Sequence, residues 1–383
     1  GADRTFVDRS PSGRQHRTVI DALGRITLEQ TADLAPVNYT YNSRGLLTTA
    51  TQGDRTTTFT YDARGYLATV TDALGRTASF VYDAAGRMTR QTFPDGRSVD
   101  YSYDAAGGLS GVTPPGQPVH SFGYTPVDLV ASYAPPVVTG VSAPQTIYSY
   151  NTDRQPTAVT RAGGQSVAYG YDGAGRLQSV TTPTGSIVYG FDPVSSNLIT
   201  ITASGGGALA YSYDGALIRS ERYSGVITGS VGFAYDNDFR VSAVQVNGDA
   251  LASYQFDPDG LLTQAGLLTL HRHPQNGLLT GGVLGGVSDA WSYNSFGEPT
   301  AYNATFNGGP LFANTYARDR LGRITTLTET VAGVTAVYTY AYDVAGRLTE
   351  VRQDSSIIAS YAYDSNGNRL TGPGGPGVYD AQD

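Results

Sequence analysis

Along this chain an aromatic residue stands two places before another aromatic, again and again. Tyr39 precedes Tyr41, Phe59 precedes Tyr61, Phe80 precedes Tyr82, and Tyr101 precedes Tyr103. Tyr169 with Tyr171, Tyr340 with Tyr342 and Tyr361 with Tyr363 continue the series. Residues two apart share one face of a strand. Each unit therefore predicts a strand with an aromatic pair on one face. The second aromatic opens a short phrase, "YDAAG" at Tyr82 and Tyr103, with close versions at Tyr61, Tyr171, Tyr342 and Tyr363. Looser versions start at Tyr41, Tyr150, Phe191, Tyr213, Tyr235, Phe256 and Tyr293. The steps are mostly 20 to 22 residues. A fixed period in that range marks a repeat array.

Asp at the first place and Gly at the fourth fit a type I turn, with the Asp carboxylate accepting backbone N–H groups ahead of it. Gly then takes the positive φ that closes a hairpin through a bulge. This assigns Asp62 and Gly65, Asp83 and Gly86, Asp172 and Gly175, Asp343 and Gly346, and Asp364 and Gly367 to turns, with Asp104 opening another. "RLQSVT" after Gly175 and "RLTEVR" after Gly346 read as returning strands. A second turn signal, such as "DALG" at Asp72, sits about halfway round the period. Each repeat is one hairpin plus a link, about two strands. The fold class expected is all-β, an antiparallel array of hairpin repeats.

If Asp and Gly bracket the turn, the preceding Tyr faces the residue after Gly. That pairs Tyr82 with Arg87, Tyr171 with Arg176 and Tyr342 with Arg347, each a guanidinium on a ring. Leu177 and Leu348 then point to the opposite face. These arginines could form a basic ligand patch or simply stack within the sheet; stacking is the preferred reading.

Two stretches break the rhythm. Residues 113–146 hold seven prolines and lengthen one step to 26, which predicts a surface excursion or an edge. Residues 260–290 are rich in Gly and Leu, with a degenerate unit at "HPQNG". The whole of 1–383 is otherwise expected to be one array. Gly1 enters mid-pattern and the last residues begin another unit, so the chain reads as part of a longer protein.

Composition narrows the chemistry. There is no Cys, which removes disulfides and thiolate metal sites. The net charge of -8 argues against a nucleic-acid partner. No segment is long and apolar enough for a membrane-spanning helix. His271 and His273 form an H-x-H pair, but no close carboxylate completes a metal site, and the pair sits where Tyr-x-Tyr belongs. No nucleophile elbow, P-loop or dinucleotide fingerprint occurs. The expectation is a protein without catalysis, cofactor or metal.

The "YDxxGRL" units at Tyr82, Tyr171 and Tyr342, the "DALGR" half-units at Asp21 and Asp72, and "YDSNGNRLT" from Tyr363 resemble the YD repeats of RHS-type proteins. That family includes shells of bacterial polymorphic toxins, cocoon-forming parts of insecticidal toxin complexes, and teneurins. The resemblance implies a β-sheet that spirals into a hollow shell. In the bacterial members such a shell encloses a C-terminal toxin. Further repeats and that effector would then be the partners, and the site secreted or at the cell surface. The alternative is a surface module that binds a carbohydrate or a protein receptor through its aromatics. About 17 repeats of two strands, at about 4.8 Å per strand, make a ladder on the order of 160 Å long. Closed once, it would be a hoop about 50 Å across.

Overall fold

The Asp-x-x-Gly segments are hairpin turns in a computed structural model, which describes residues 3–138, 145–380 and 382. Every element among them is a strand, from Arg4–Arg9 to Arg369–Thr371, and no helix occurs among the described residues. The first 34 strands form one antiparallel sheet. Each strand pairs with its predecessor and its successor, as Thr77–Tyr82 does with Leu67–Thr71 and Met88–Thr92. The architecture is a meander, because each link is too short for anything but a hairpin.

The aromatic pairs share a face, as alternation requires. Phe59 and Tyr61 are half-buried and Thr60 between them is exposed. Val81 is likewise exposed between Phe80 and Tyr82. The exposed face carries hydroxyl pairs, with Thr60 and Thr69 Oγ1 atoms 2.6 Å apart and Ser212 and Ser220 Oγ atoms 2.6 Å apart. On the other face aromatics meet aliphatics across the strands. Phe59 lies opposite Val70, Tyr101 opposite Val112 and Tyr169 opposite Val180.

The sheet is a single layer. Val19 and Ala304 are the buried hydrophobic side chains among the described residues. The accessible surface is 21798 Å². A compact monomer of 40.3 kDa would expose roughly 14,500 Å². The excess is what a wall without a second layer must show.

The ribbon meets itself sooner than the chain length predicted. The turn at 10–14 is bonded to the turn at 257–260, twenty-three strands later. At about 4.8 Å per strand, one winding is about 110 Å round and roughly 35 Å across before strand tilt is counted. The sheet is therefore not a hoop closed once but the spiral that the resemblance implies, narrower than about 50 Å and overlapping itself. Contacts continue along the overlap, to Arg97 beneath Ser365.

Through the proline-rich stretch the sheet continues, and the lengthening of that step falls in the link 135–145. His120–Tyr124 and Val130–Ala134 are strands paired on both sides, so the sheet runs through them. Pro114, Pro115 and Pro126 fall in turns, where no ladder N–H is needed. Residues 139–144 lie outside the described residues. The Gly- and Leu-rich stretch is likewise four ordinary strands, from Leu262–Ala265 to Val287–Tyr293.

Candidate functional site

Each repeat turn is built around its aspartate. In the turn at Asp83, the Gly86 N–H donates to the Asp83 carbonyl at 2.9–3.2 Å typical of its peers, here 3.1 Å, and the Asp83 N–H donates to the Arg87 carbonyl at 2.9 Å. Gly86 has φ of 83°, where a Cβ is disfavoured. Asp83 Oδ1 accepts the Arg87 N–H at 2.9 Å, and Oδ2 accepts Arg87 Nε at 2.8 Å. The turns of Asp172 with Arg176 and Asp343 with Arg347 repeat this. The Arg87 backbone hydrogen bond, with its side chain, holds the Asp83 carboxyl below the usual range, and Arg176 does the same for Asp172. Asp62, Asp104 and Asp364 accept the same backbone donors, including the N–H of Tyr66, Gly108 and Asn368. Gly65, Gly175, Gly346 and Gly367 all have positive φ.

The expected ring partners are wrong by one repeat. A bulge between Val81 and Tyr82 shifts the register, so Tyr82 faces Met88. Tyr171 faces Leu177 and Tyr342 faces Leu348, which puts those leucines on the tyrosine face. Arg87 is tied back to Asp83 and lies over Tyr103 of the next repeat, 4.6 Å from its centroid. Arg176 lies over Phe191 and Arg347 over Tyr363 in the same way.

The tyrosine hydroxyl reaches the other way. Tyr61 donates to the Leu47 carbonyl at 2.8 Å, Tyr103 to Met88 at 2.7 Å and Tyr171 to Pro156 at 2.8 Å. Tyr342 and Tyr363 donate to Ile324 and Leu348, each at 2.7 Å. Each acceptor follows the turn of the preceding repeat, beyond the end of the ladder between repeats. There the carbonyl needs a donor from a side chain. Tyr82 is placed differently, its ring stacked on Tyr66 at 5.1 Å. Two repeats substitute arginine for tyrosine. Arg272 Nε donates to the Leu262 carbonyl and Arg318 Nη2 to the Pro299 carbonyl, both at 3.1 Å. His273 therefore holds the aspartate place, not a tyrosine place, and His271 is exposed between Leu270 and Arg272.

A second set of contacts joins the windings and was not read from the sequence. The half-period turns of the first winding bind the Tyr-Asp turns of the second. Arg14 pairs with Asp257 at 2.7 Å and with Asp259, which also accepts from Ser10 Oγ at 2.7 Å. The Ala35 N–H donates to the Ser295 carbonyl at 2.7 Å. Arg55 binds both oxygens of Glu298, and Arg76 and Arg97 donate to the carbonyls of Val344 and Ser365. The Arg55 hydrogen bonds pull the Glu298 carboxyl down to about 2. The one signal of this seam in the sequence is spacing: Arg55, Arg76 and Arg97 are 21 residues apart. Between the windings Asp33, His273, Asn276, Trp291 and Asn294 line a cavity of about 340 Å³. No group of three or more His, Asp or Glu that could hold a metal ion occurs among the described residues.

Chemically, this arrangement spends its charges and hydroxyls on itself. A model described as the Teneurin YD-shell matches residues 7–383. Mouse Teneurin-3 is 27% identical over 151 residues, covering 38% of this chain and 6% of that protein. Among solved structures, the crystal structure of TcdB2-TccC3-Cdc42 shares the fold, with a TM-score of 0.50 and 13% identity, over 96% of this chain and 27% of that one. The crystal structure of TcdB2-TccC3-TEV aligns over the same shares, with a TM-score of 0.49. The chain thus spans about a quarter of the solved chains it matches and a small part of the curated relative.

Proposed function

Since the chain belongs to the teneurin YD-shell family, a family of structural shells, we propose that it is a section of shell wall that helps enclose a C-terminal effector domain of its parent protein. The observation that carries this reading is the seam. A sheet only one layer thick winds past a full turn and bonds its own rims together, from Arg14 to Arg97. Such a wall keeps its shape without a core and leaves a bore along its axis.

The bore limits what this section holds. Side chains and backbone make the wall about 10 Å thick, leaving on the order of 25 Å inside. A folded domain of 100 residues has a radius of gyration of about 13 Å and would not fit with room to spare. Enclosure of a folded effector therefore calls for more wall, supplied by further repeats of the parent. The setting proposed is secreted or at the cell surface. No residue is assigned a catalytic role.

Limited proteolysis of the parent protein tests the reading. A C-terminal domain inside the shell should survive protease that digests the same domain expressed alone, until the wall is unfolded. Equal digestion rates would overturn enclosure. A receptor-binding role is disfavoured, because the repeated aromatics are half-buried and bonded within the ladder.

A further inference from the structure

The first pairs along the seam keep one spacing. Arg14 meets Asp257, Asp33 meets Asn276 and Arg55 meets Glu298, each pair 243 residues apart. Charge does not run evenly along these contacts. Of the tips 10–14, 31–34, 52–55, 72–76 and 93–97, only 31–34 has no arginine, and it carries Asp33 instead. Of the facing turns 257–260, 273–277, 294–298, 319–323, 343–347 and 364–368, only 273–277 has no carboxylate. The acidic tip lies on the acid-free turn. Asn276 Nδ2 donates to Asp33 Oδ1 at 2.9 Å, and His273 Nε2 is 3.9 Å from Asp33 Oδ2.

We propose that this one inverted pair sets the register of the seam, and with it the number of strands per winding and the width of the bore. Twist brings the rims together, and the charges choose among neighbouring registers. Suppose the windings slip by one repeat, so that the tip 31–34 reaches the turn 257–260. Asp33 then takes the place of Arg14, beside Asp257 and Asp259, whose side chains are 13% and 11% exposed. Three carboxylates would share a covered site without their cation, and Arg55 would face a turn with no acid. A slip the other way puts Asp33 on Glu298, in the place of Arg55, and leaves Arg14 on the acid-free turn. Shape adds to charge there. Phe296 Cζ lies 3.0 Å from where a Cβ on Gly53 would sit. Ala32 would come into that place, with φ of 49° against 57° for Gly53, and its methyl would meet the ring. Both wrong registers are thus opposed by repulsion that the native one lacks, and such repulsion is a source of specificity separate from strength. A seam of arginines on carboxylates throughout would bind in any register. This holds whatever the wall encloses.

Moving the inverted pair by one repeat tests this. Asp33→Arg with Arg55→Asp makes 31–34 a basic tip and 52–55 an acidic one. These match Asp257 with Asp259, and the acid-free turn, only when a winding is two strands shorter. The chain has no cysteine, so introduced pairs report the register. Ala35 and Ser295 are joined by a backbone hydrogen bond of 2.7 Å, so Ala35→Cys with Ser295→Cys should form a disulfide on mild oxidation of the otherwise unchanged chain. Pro274 holds the place of Ser295 in the preceding turn, and Ala35→Cys with Pro274→Cys should not cross-link there. In the Asp33→Arg, Arg55→Asp background the two results should exchange. Small-angle scattering, without any cysteine, should then show a cross-section narrower by about a tenth, for twenty-one strands per winding in place of twenty-three. Far-ultraviolet circular dichroism checks that the ladder is intact. If the exchanged charges leave the Ala35–Ser295 link and the radius as they were, or abolish both links, the register belongs to the twist of the ribbon and the proposal is overturned.

Discussion

Arg55 and Glu298, 243 residues apart, meet through two parallel hydrogen bonds of 2.8 Å each. Phe296 lies under the same guanidinium, 3.7 Å from it to the ring centroid. A bidentate, stacked arginine is not replaceable by lysine without loss of both geometries. Both side chains are about one-fifth exposed, so removing one partner leaves a largely covered charge. Arg55→Ala should cost about 2–4 kcal/mol of seam stability, and Arg55→Lys less. The loss is local, because each winding keeps its own ladder. Amide exchange should rise in the tips at 52–55 and 294–298 while the mid-strand amides of 77–82 stay protected. Uniform loss of protection would show that the windings cannot stand apart.

Acid should open the seam late. The Glu298 carboxyl titrates at about 2 in the folded chain, against an ordinary value of 4.5. A depressed folded pKa gives stability that is complete above the unfolded value and is lost as pH falls through the folded one. Asp259, held low by the Ser12 N–H and its neighbours although burial opposes them, acts in the same direction. The expected result is no change in small-angle scattering between pH 7 and pH 5, then expansion between about pH 4.5 and pH 2. Opening already at pH 6 would place the switch in another group.

Most of the local structure was legible because it depends on neighbours in the chain. Asp83 and Gly86 carry their own turn, and Phe80 with Tyr82 carries its own face. The ring partners differ because the bulge expected at the turn Gly also shifts the register: with one extra residue on the returning strand Tyr82 stands opposite Met88, not Arg87. The seam was illegible for a different reason. Ser295 and Ala35 meet through backbone atoms, which any residue could supply, and strand count per winding depends on twist accumulated over the whole ribbon. The H-x-H pair stands one residue out of the Tyr-x-Tyr frame: Arg272 takes the tyrosine place, and the bond from the His273 N–H to the Leu278 carbonyl puts His273 in the aspartate place.

Turn glycines should differ by what surrounds them. Gly175 has φ of 79° with Gln155 Nε2 3.5 Å from where a Cβ would sit, so Gly175→Ala meets backbone strain alone. Gly86 has φ of 83°, and its added Cβ would come within 2.2 Å of the Tyr66 hydroxyl. Gly175→Ala should cost about 1 kcal/mol and Gly86→Ala about 1–3 kcal/mol. Gly175→Val should exceed Gly175→Ala, because a β-branched residue is least tolerated at positive φ. Urea titrations followed at two probes rank the variants and show whether the array unfolds in one step. A silent Gly86→Ala would mean that Tyr66 swings aside at no cost.

The tyrosine hydroxyl should matter in proportion to the carbonyl it serves. Tyr103→Phe removes the donor to the Met88 carbonyl and keeps the ring beneath Arg87. A typical net hydrogen bond is worth about 0.5–1.5 kcal/mol, and the half-buried carbonyl left behind keeps the loss near that range. The chain's own repeats do without this hydroxyl at two places, since Phe191 and Phe256 occupy the tyrosine position with arginine still stacked on each. Tyr82→Phe should cost less, because that ring is held by stacking on Tyr66. Arg272→Tyr should be close to neutral, with the new hydroxyl taking over the Leu262 carbonyl that Arg272 Nε now serves, whereas Arg272→Ala should cost about 1 kcal/mol or more. Denaturant midpoints for the four variants give the order directly. If Arg272→Tyr is as damaging as Arg272→Ala, arginine at that place does something besides bind the carbonyl, and the equivalence of the two residues in the repeat fails.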